Sequence, residues 1–147
     1  GEVTRAHYAR YLVQIGKVSN DGQAFKRYLG SGKSCFVKAE WVDIPTAIET
    51  IHAAGGVAVI AHPMRYNMTG KWIRRLIVDF KQWGGDGMEV ADSGQTKDQR
   101  QYLARLANEY DLAASLGSDF HFPCGWIELG KNLFLPEEVK PIWILFE

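Results

Sequence analysis

The chain is predicted to be an α/β protein in which short buried strands alternate with helices. Three observations support this class: apolar runs of strand length, amphipathic segments of helical spacing between them, and glycine pairs that end two of the segments. The apolar runs are residues 57–61, 88–91 and 112–116. Because strand and helix alternate, these strands should form a parallel sheet or part of a barrel.

The first 42 residues are predicted to form a small helical segment. Thr4 can cap a first helix, and Ser19 or Asn20 can cap a second. The apolar positions of the first helix are Tyr8, Tyr11, Leu12 and Ile15, and those of the second are Phe25, Tyr28 and Leu29. Residues 30–34 should be a loop, and they lack the glycine spacing of a phosphate-binding loop.

Residues 43–147 should contain the strands and the helices between them. Asp43 can cap a helix that ends at Gly55-Gly56, and a second helix ends at Gly84-Gly85. The broad apolar face of that second helix consists of Trp72, Ile73, Leu76, Ile77, Phe80 and Trp83. A capping box of Thr96 and Gln99 begins a third helix, whose apolar positions are Leu103, Leu106 and Tyr110.

Composition limits the classes of function. A chain of 147 residues with 46% hydrophobic content can bury one ordinary core, so one domain or part of one is expected. Seventeen basic residues balance seventeen acidic ones, which argues against a DNA duplex or a membrane surface as partner. Cys35 and Cys124 lack metal-type spacing and favour a reducing compartment, for which the cytoplasm is the default.

Residues able to bind metal follow all three predicted strands. His62 follows the first strand, Glu89 lies near the end of the second, and Asp119 and His121 follow the third. Because the carboxyl ends of parallel strands share one edge, these side chains should lie on one side of the sheet. They predict a metal site, although His62 alone could be a hydrogen-bonded, half-buried residue. Glu89 could equally cap a loop and is a secondary candidate.

Three basic side chains are candidates for binding a substrate anion. Arg65 follows His62 by three residues and could bind a phosphate, or it could form a surface salt bridge. Arg5 and His7 lie in the first turn of the opening helix, where free N–H groups favour an anion, although a solvated polar face explains them as well. No serine lies in a nucleophile motif, so no catalytic residue beyond metal ligands is predicted.

The strand-end motifs carry a family resemblance. Ala-His-Pro at 61–63 and Gly-Ser-Asp-Phe-His at 117–121 resemble the PHP superfamily (polymerase and histidinol phosphatase). Residues 61–67 and 123–130 look like its branch of RNase AM and nucleoside 3',5'-bisphosphate phosphatases, and residues 4–10 also fit that branch. The likeness covers nearly the whole chain.

The resemblance implies a fold and a metal content. It implies that residues 43–147 are the carboxyl-terminal part of a distorted (β/α)7 PHP barrel, preceded by a helical insertion at 1–42 that covers the site. It also implies up to three divalent ions, with manganese expected and zinc or iron as alternatives, and makes His62, Asp119 and His121 ligands. The family's amino-terminal His-x-His does not precede Gly1, so we expect the isolated chain to be inactive and to self-associate through exposed strand edges.

The resemblance further implies a metal-dependent phosphoesterase. Its substrates would be nucleoside 3',5'-bisphosphates and the 5' ends of short RNA, with Arg65, Arg5 and His7 binding phosphate. Two alternatives stay open: an amidohydrolase-type metal hydrolase, and a non-catalytic binding or scaffold module. Arg65 discriminates between the two hydrolases, because a carboxamide substrate gives no reason for a guanidinium beside the metals.

Overall fold

The computed structural model describes residues 3–121, 123, 125 and 127–146. Contacts between residues divide the chain into two units, Gly1–Trp41 and Val42–Glu147. Cys124 and Trp126, which belong to the motif at 123–130, lie outside the described residues.

The first unit is helical. It contains α1 (Arg5–Gln14) and α2 (Asp21–Ala24), which continues as a π-helical turn at Phe25–Leu29. Thr4 caps α1 as predicted, and Asn20 rather than Ser19 caps α2, since its Oδ1 accepts from the Gln23 N–H at 3.0 Å. The buried residues of this unit are Ala9, Val18, Ala24 and Leu29.

The predicted apolar face of α1 is wrong in part. Tyr8, Tyr11 and Ile15 are exposed, and α1 packs through Ala9 instead. Leu12, which was on the predicted face, does pack against this small core. Phe25 and Tyr28 also pack against this core, so the second helical segment supplies its aromatic rings and α1 contributes mainly small and aliphatic side chains.

The second unit contains α3 (Ile44–Ala53), α4 (Gly70–Gln82) and α5 (Lys97–Glu109). Of these, α3 and α5 begin at the caps that the sequence predicts. The Asp43 carboxylate accepts from the Thr46 N–H at 2.9 Å, which supplies the expected cap of α3. The capping box of α5 is also confirmed, with the Thr96 N–H donating to Gln99 Oε1 at 2.9 Å.

The strands form a three-stranded parallel sheet in the order β1-β2-β3. They are β1 (Val59–Ile60), β2 (Gly87–Asp92) and β3 (Ala113–Gly117). The parallel sheet is therefore confirmed, whereas the PHP barrel stays a prediction. The strand limits differ from the predicted ones: β1 is shorter, β2 is longer by one residue at each end, and β3 begins and ends one residue later.

The three helices and the sheet share one hydrophobic core. Met88 and Val90 of β2 belong to it, whereas Glu89 between them does not. From α4 the core takes Ile73, Ile77 and Phe80, and from α5 it takes Leu103, Ala104, Leu106 and Ala107. Trp72 and Trp83 were expected on the buried face of α4 but are 62% and 41% exposed, because the narrower stripe already covers the strands.

A β-bulge interrupts β2 at Val90. Glu89 pairs with Ser115 and Ala91 pairs with Leu116, so Val90 is an extra residue on β2. In a regular strand, residues three apart point to opposite faces. The extra residue changes that relation for Glu89 and Asp92, and both carboxylates accept hydrogen bonds from residues 62–65.

The end of the described chain packs beside β3. The Ala114 N–H donates to the Lys140 carbonyl at 2.7 Å, and Ala114 forms a parallel bridge with Pro141. A 3-10 helix follows at Ile142–Phe146. None of the helices in the described residues is both long enough and apolar enough to cross a membrane.

Candidate functional site

The carboxyl ends of the strands bring most of the predicted site residues into one hydrogen-bonded group. The His62 N–H, after β1, donates to Glu89 of β2 at 2.5 Å. Arg65 donates to Asp92 at the end of β2 and to Asp119 after β3. The candidate site is therefore a row of imidazole, carboxylate and guanidinium groups along one edge of the sheet.

Glu89 lies in the most confined part of this edge. Its side chain is largely buried, and one carboxylate oxygen faces Gly117, where an added Cβ would lie 2.7 Å from Oε1. Burial raises the pKa of Glu89 above its usual range, and the hydrogen bond from His62 partly opposes the rise. Glu89 therefore accepts a hydrogen bond from a loop N–H, as its interpretation as a loop cap predicts. The loop that it caps is the one that follows β1.

The His62 ring is held in an unusual position. His62 adopts a left-handed backbone conformation with φ 34° directly before Pro63. Its ring and the Tyr66 ring are nearly perpendicular, with their centres 5.7 Å apart. Tyr66 in turn donates its hydroxyl to the Ala61 carbonyl at 2.7 Å. Within the described residues, the buried Nδ1 of His62 has no hydrogen-bond partner. A buried imidazole nitrogen without a partner fits a metal ligand.

Asp92 is a site residue that the sequence reasoning missed. It is 2% exposed, and its Oδ1 accepts from the Gly94 N–H at 2.6 Å. Its Oδ2 accepts from Arg65 Nε at 3.0 Å, while the Gln95 side chain accepts from its N–H. Asp92 directly follows the predicted strand at 88–91, so the strand-end rule that selected His62 and Asp119 could have selected it too.

Arg65 is paired with two carboxylates. Its Nε donates to Asp92 and its Nη1 donates to Asp119. The guanidinium therefore connects the carboxyl end of β2 with the segment that follows β3. The hydrogen bond with Asp92 raises the pKa of Arg65. The salt-bridge interpretation of Arg65 therefore describes this structure, and its predicted contact with phosphate stays a prediction.

Asp119 and His121 lie on the more open side of the edge. The Asp119 side chain is 24% exposed and that of His121 is 71% exposed. Asp119 has φ 53°, and its carbonyl oxygen lies 2.8 Å from His121 Nδ1. If Nδ1 carries the proton and donates to that carbonyl, Nε2 is the nitrogen left for a ligand.

The described residues do not by themselves assemble a complete metal centre. In the part of the chain that it describes, no three His, Cys, Asp or Glu side chains form a group that could hold a metal ion. The donor chemistry nevertheless fits, because carboxylate oxygens and imidazole nitrogens together suit manganese, iron or zinc. The assignment of His62, Asp119 and His121 as ligands stays a prediction.

Arg100, on α5, binds the backbone at the end of β2. The sequence did not lead us to predict this role. It is 2% exposed, and its Nη2 donates to the carbonyls of Asp92 and Asn132, each at 3.0 Å. Its guanidinium lies 4.1 Å from the centre of the Phe134 ring. Arg100 lies three residues before Leu103, which places it on the buried face of α5. That spacing could have indicated that Arg100 is buried.

Arg5 and His7 lie in the first unit. His7 Nδ1 accepts from the Thr4 N–H at 3.0 Å, so the ring helps to close the start of α1. Arg5 is exposed in the first turn of the same helix. Contacts of these two residues with substrate stay predictions.

Comparison with curated proteins supports the resemblance that the motifs predict. No protein-family model matches the chain. A 5'-3' exoribonuclease of Haemophilus influenzae is 82% identical over 146 residues, which are 99% of this chain and 53% of that protein. A 3',5'-nucleoside bisphosphate phosphatase of Chromobacterium violaceum is 42% identical over 142 residues, or 96% of this chain and 50% of that protein. The predicted resemblance to exoribonucleases and nucleoside bisphosphate phosphatases is confirmed.

Solved structures give the same picture. A structure of an amidohydrolase from Chromobacterium violaceum, with bound sulfate and no metal, matches with a TM-score of 0.80 and 42% identity, covering 97% of this chain and 49% of its own. A candidate metal-dependent phosphoesterase from Bifidobacterium adolescentis matches with a TM-score of 0.70 and 28% identity, covering 90% and 47%. The chain spans about half the length of the curated relatives it matches.

Proposed function

We propose that the chain is part of a metal-dependent phosphoesterase that hydrolyses nucleotide phosphoesters. The observation that carries the proposal is the meeting of His62, Glu89, Asp92 and Asp119 with Arg65 at the carboxyl edge of a parallel sheet. That edge is where α/β enzymes bind their substrates. The names of the relatives, an exoribonuclease and a nucleoside bisphosphate phosphatase, support the same class of reaction.

Each group has a proposed role. His62, Asp119 and His121 hold divalent ions, with manganese expected, and a PHP barrel surrounds them. When bound, such an ion supplies charge stabilisation and a water of lowered pKa. Arg65 binds substrate phosphate, with Arg5 and His7 as further phosphate contacts. Glu89 fixes the backbone of His62, since its carboxylate accepts that N–H.

The proposed substrates are nucleoside 3',5'-bisphosphates and the 5' ends of short RNA. The balance of seventeen basic and seventeen acidic residues suits short anionic substrates better than long polyanions. The sulfate in the amidohydrolase structure shows that this related protein can hold a tetrahedral anion. We also propose that the protein acts in the cytoplasm, on the basis of its sparse cysteines.

A chimera tests the proposal directly. This chain would replace the matching 146 residues of the Haemophilus influenzae exoribonuclease. We expect manganese-dependent release of mononucleotides from a 5'-labelled oligoribonucleotide, and release of phosphate from adenosine 3',5'-bisphosphate. Asp119→Ala in the chimera should lower both rates about a hundredfold or more, whereas Arg75→Gln on α4 should leave them unchanged.

Two results would contradict the proposal. One is a folded chimera that is inactive with every divalent ion tried. The other is full activity in the Asp119→Ala chimera. Assay of the 147-residue chain alone, together with size-exclusion chromatography, tests the separate expectations that it is inactive and self-associates.

An amidohydrolase is the second candidate, because one structural match carries that name. A carboxamide gives no use for Arg65, which lies among the carboxylates of the site. Assay of the chimera on carboxamides and cyclic amides separates the two classes, since a phosphoesterase should leave them intact. Metal analysis of the chimera tests the third possibility, a non-catalytic module.

A further inference from the structure

We propose that Arg65 and the divalent ion compete for the Asp119 carboxylate, so that ion binding releases one arm of Arg65 to bind substrate phosphate. The inference rests on the proposed function, because it takes Asp119 as a metal ligand. It adds an exchange of partners within the site. In this structure, the Arg65 guanidinium is a cationic partner of the Asp119 carboxylate.

The two arms of Arg65 are held differently. Nε donates to Asp92, whose side chain is 3% exposed and whose other oxygen is fixed by the Gly94 N–H. Nη1 donates to Asp119, whose side chain is eight times as exposed, at 24%. The contact with Asp92 is therefore an anchor, and the contact with Asp119 is the one that can be exchanged.

Charge repulsion means that Arg65 and the divalent ion each weaken the binding of the other to Asp119. A guanidinium on Asp119 places a positive charge beside the carboxylate that a divalent ion needs, and like charges at such distances repel. The same guanidinium also takes Oδ2 of that carboxylate as its acceptor. Removing the charge of Arg65 should thus favour the ion both by ending repulsion and by freeing the oxygen.

The contact with Asp92 keeps the guanidinium in place after its contact with Asp119 is lost. With Nε still bound to Asp92, the Nη groups stay beside the site and can donate to a phosphate in the forked geometry that suits arginine. Phosphate binding at Arg65 should therefore depend on the ion. A purely structural salt bridge predicts no such dependence.

Manganese binding is the direct test. We would titrate Mn²⁺ into the 147-residue chain and into the chimera by isothermal calorimetry, with circular dichroism to check folding. Arg65→Gln should bind Mn²⁺ about five- to tenfold more tightly than the unaltered protein. Arg65→Met provides a second variant of similar length. The matched control is Arg75→Gln, which removes an exposed arginine paired with Asp79 on α4 and should leave the affinity unchanged.

Inorganic phosphate provides the second readout. Phosphate should bind the manganese-loaded protein more tightly than the metal-free protein, and Arg65→Gln should remove most of that gain. Unchanged manganese affinity in both Arg65 variants would overturn the competition. So would an equal gain in Arg75→Gln, because the effect would then be one of net charge.

Asp119→Asn separates this inference from the proposed function. If Asp119→Asn binds Mn²⁺ as well as the unaltered protein, Asp119 is not a ligand and the proposed centre fails. If Asp119→Asn weakens binding while the Arg65 variants change nothing, only the competition fails. No detectable binding to either the chain or the chimera overturns both.

Discussion

The end of β2 and the segment after β3 supply carboxylates to the same site but hold them in opposite ways. At the β2 end, Glu89 and Asp92 are buried and each accepts a backbone N–H. After β3, Asp119 and His121 are more exposed, and the Asp119 carboxylate is held by the Arg65 side chain. Buried groups with backbone partners are costly to disturb, whereas exposed ion pairs contribute little to stability.

This difference suggests a division of labour. The β2 end is a fixed frame that sets the positions of His62 and Arg65. The segment after β3 provides groups that can change partners when a ligand arrives. Variants at the β2 end should therefore affect folding stability, and variants after β3 should affect binding.

The largest stability effect is expected for Asp92→Ala. It removes the acceptor of the Gly94 N–H and leaves the anchored arm of Arg65 without its buried partner. We expect a loss of about 2–4 kcal/mol in the free energy of unfolding, measured by urea denaturation. Asp92→Asn keeps an acceptor oxygen and should lose less. A loss below about 0.5 kcal/mol for Asp92→Ala would show that the β2 end is no more rigid than the other side.

Gly117→Ala should have the next largest effect. The added Cβ would lie 2.7 Å from Glu89 Oε1, and Glu89 cannot move without loosening its hydrogen bond to the His62 N–H. We expect a loss of about 1–2 kcal/mol by the same measurement. Gly70→Ala, at the start of α4, is the matched control and should be neutral or stabilising because its Cβ meets only Tyr102 at 3.6 Å. Equal stability of the two variants would contradict the close packing of Glu89.

The smallest stability effects are expected after β3. Asp119→Asn and His121→Ala should each change the free energy of unfolding by less than about 1 kcal/mol, because both side chains are partly or largely exposed. Both should weaken manganese binding by the chimera. Large destabilisation without loss of manganese binding would contradict the assignment of ligand binding to the segment after β3 and of stability to the β2 end.

Much of the fold could be predicted because its signals are local. The caps at Thr4, Asp43 and Thr96 follow from side chains that accept the first free N–H groups of a helix. The parallel sheet follows from the alternation of apolar runs with helices. Even the edge that carries the site follows from the rule for strand ends.

The remaining features depend on tertiary contacts. Trp72 is exposed because α4 needs only a few residues to cover the sheet. The apolar periodicity of the sequence does not reveal how many it needs. The pairing of Arg65 depends on the position of Asp92 in space, on an element 27 residues away along the chain. The burial of Arg100 depends on carbonyls of Asp92 and Asn132, one of them in a loop.

The extra residue at Val90 affects how related sequences should be compared. A strand that alternates regularly would place acidic residues of one face two or four positions apart, but here the spacing of Glu89 and Asp92 is three. Deleting one residue between them would remove the bulge and leave a spacing of two, which still keeps both carboxylates on one face of a regular strand. Restoring regular pairing while keeping the spacing of three would instead turn one carboxylate toward the apolar core. A search for proteins that share this arrangement should therefore accept Glu-x-x-Asp with a bulge, or Glu-x-Asp without one, at the end of the second strand.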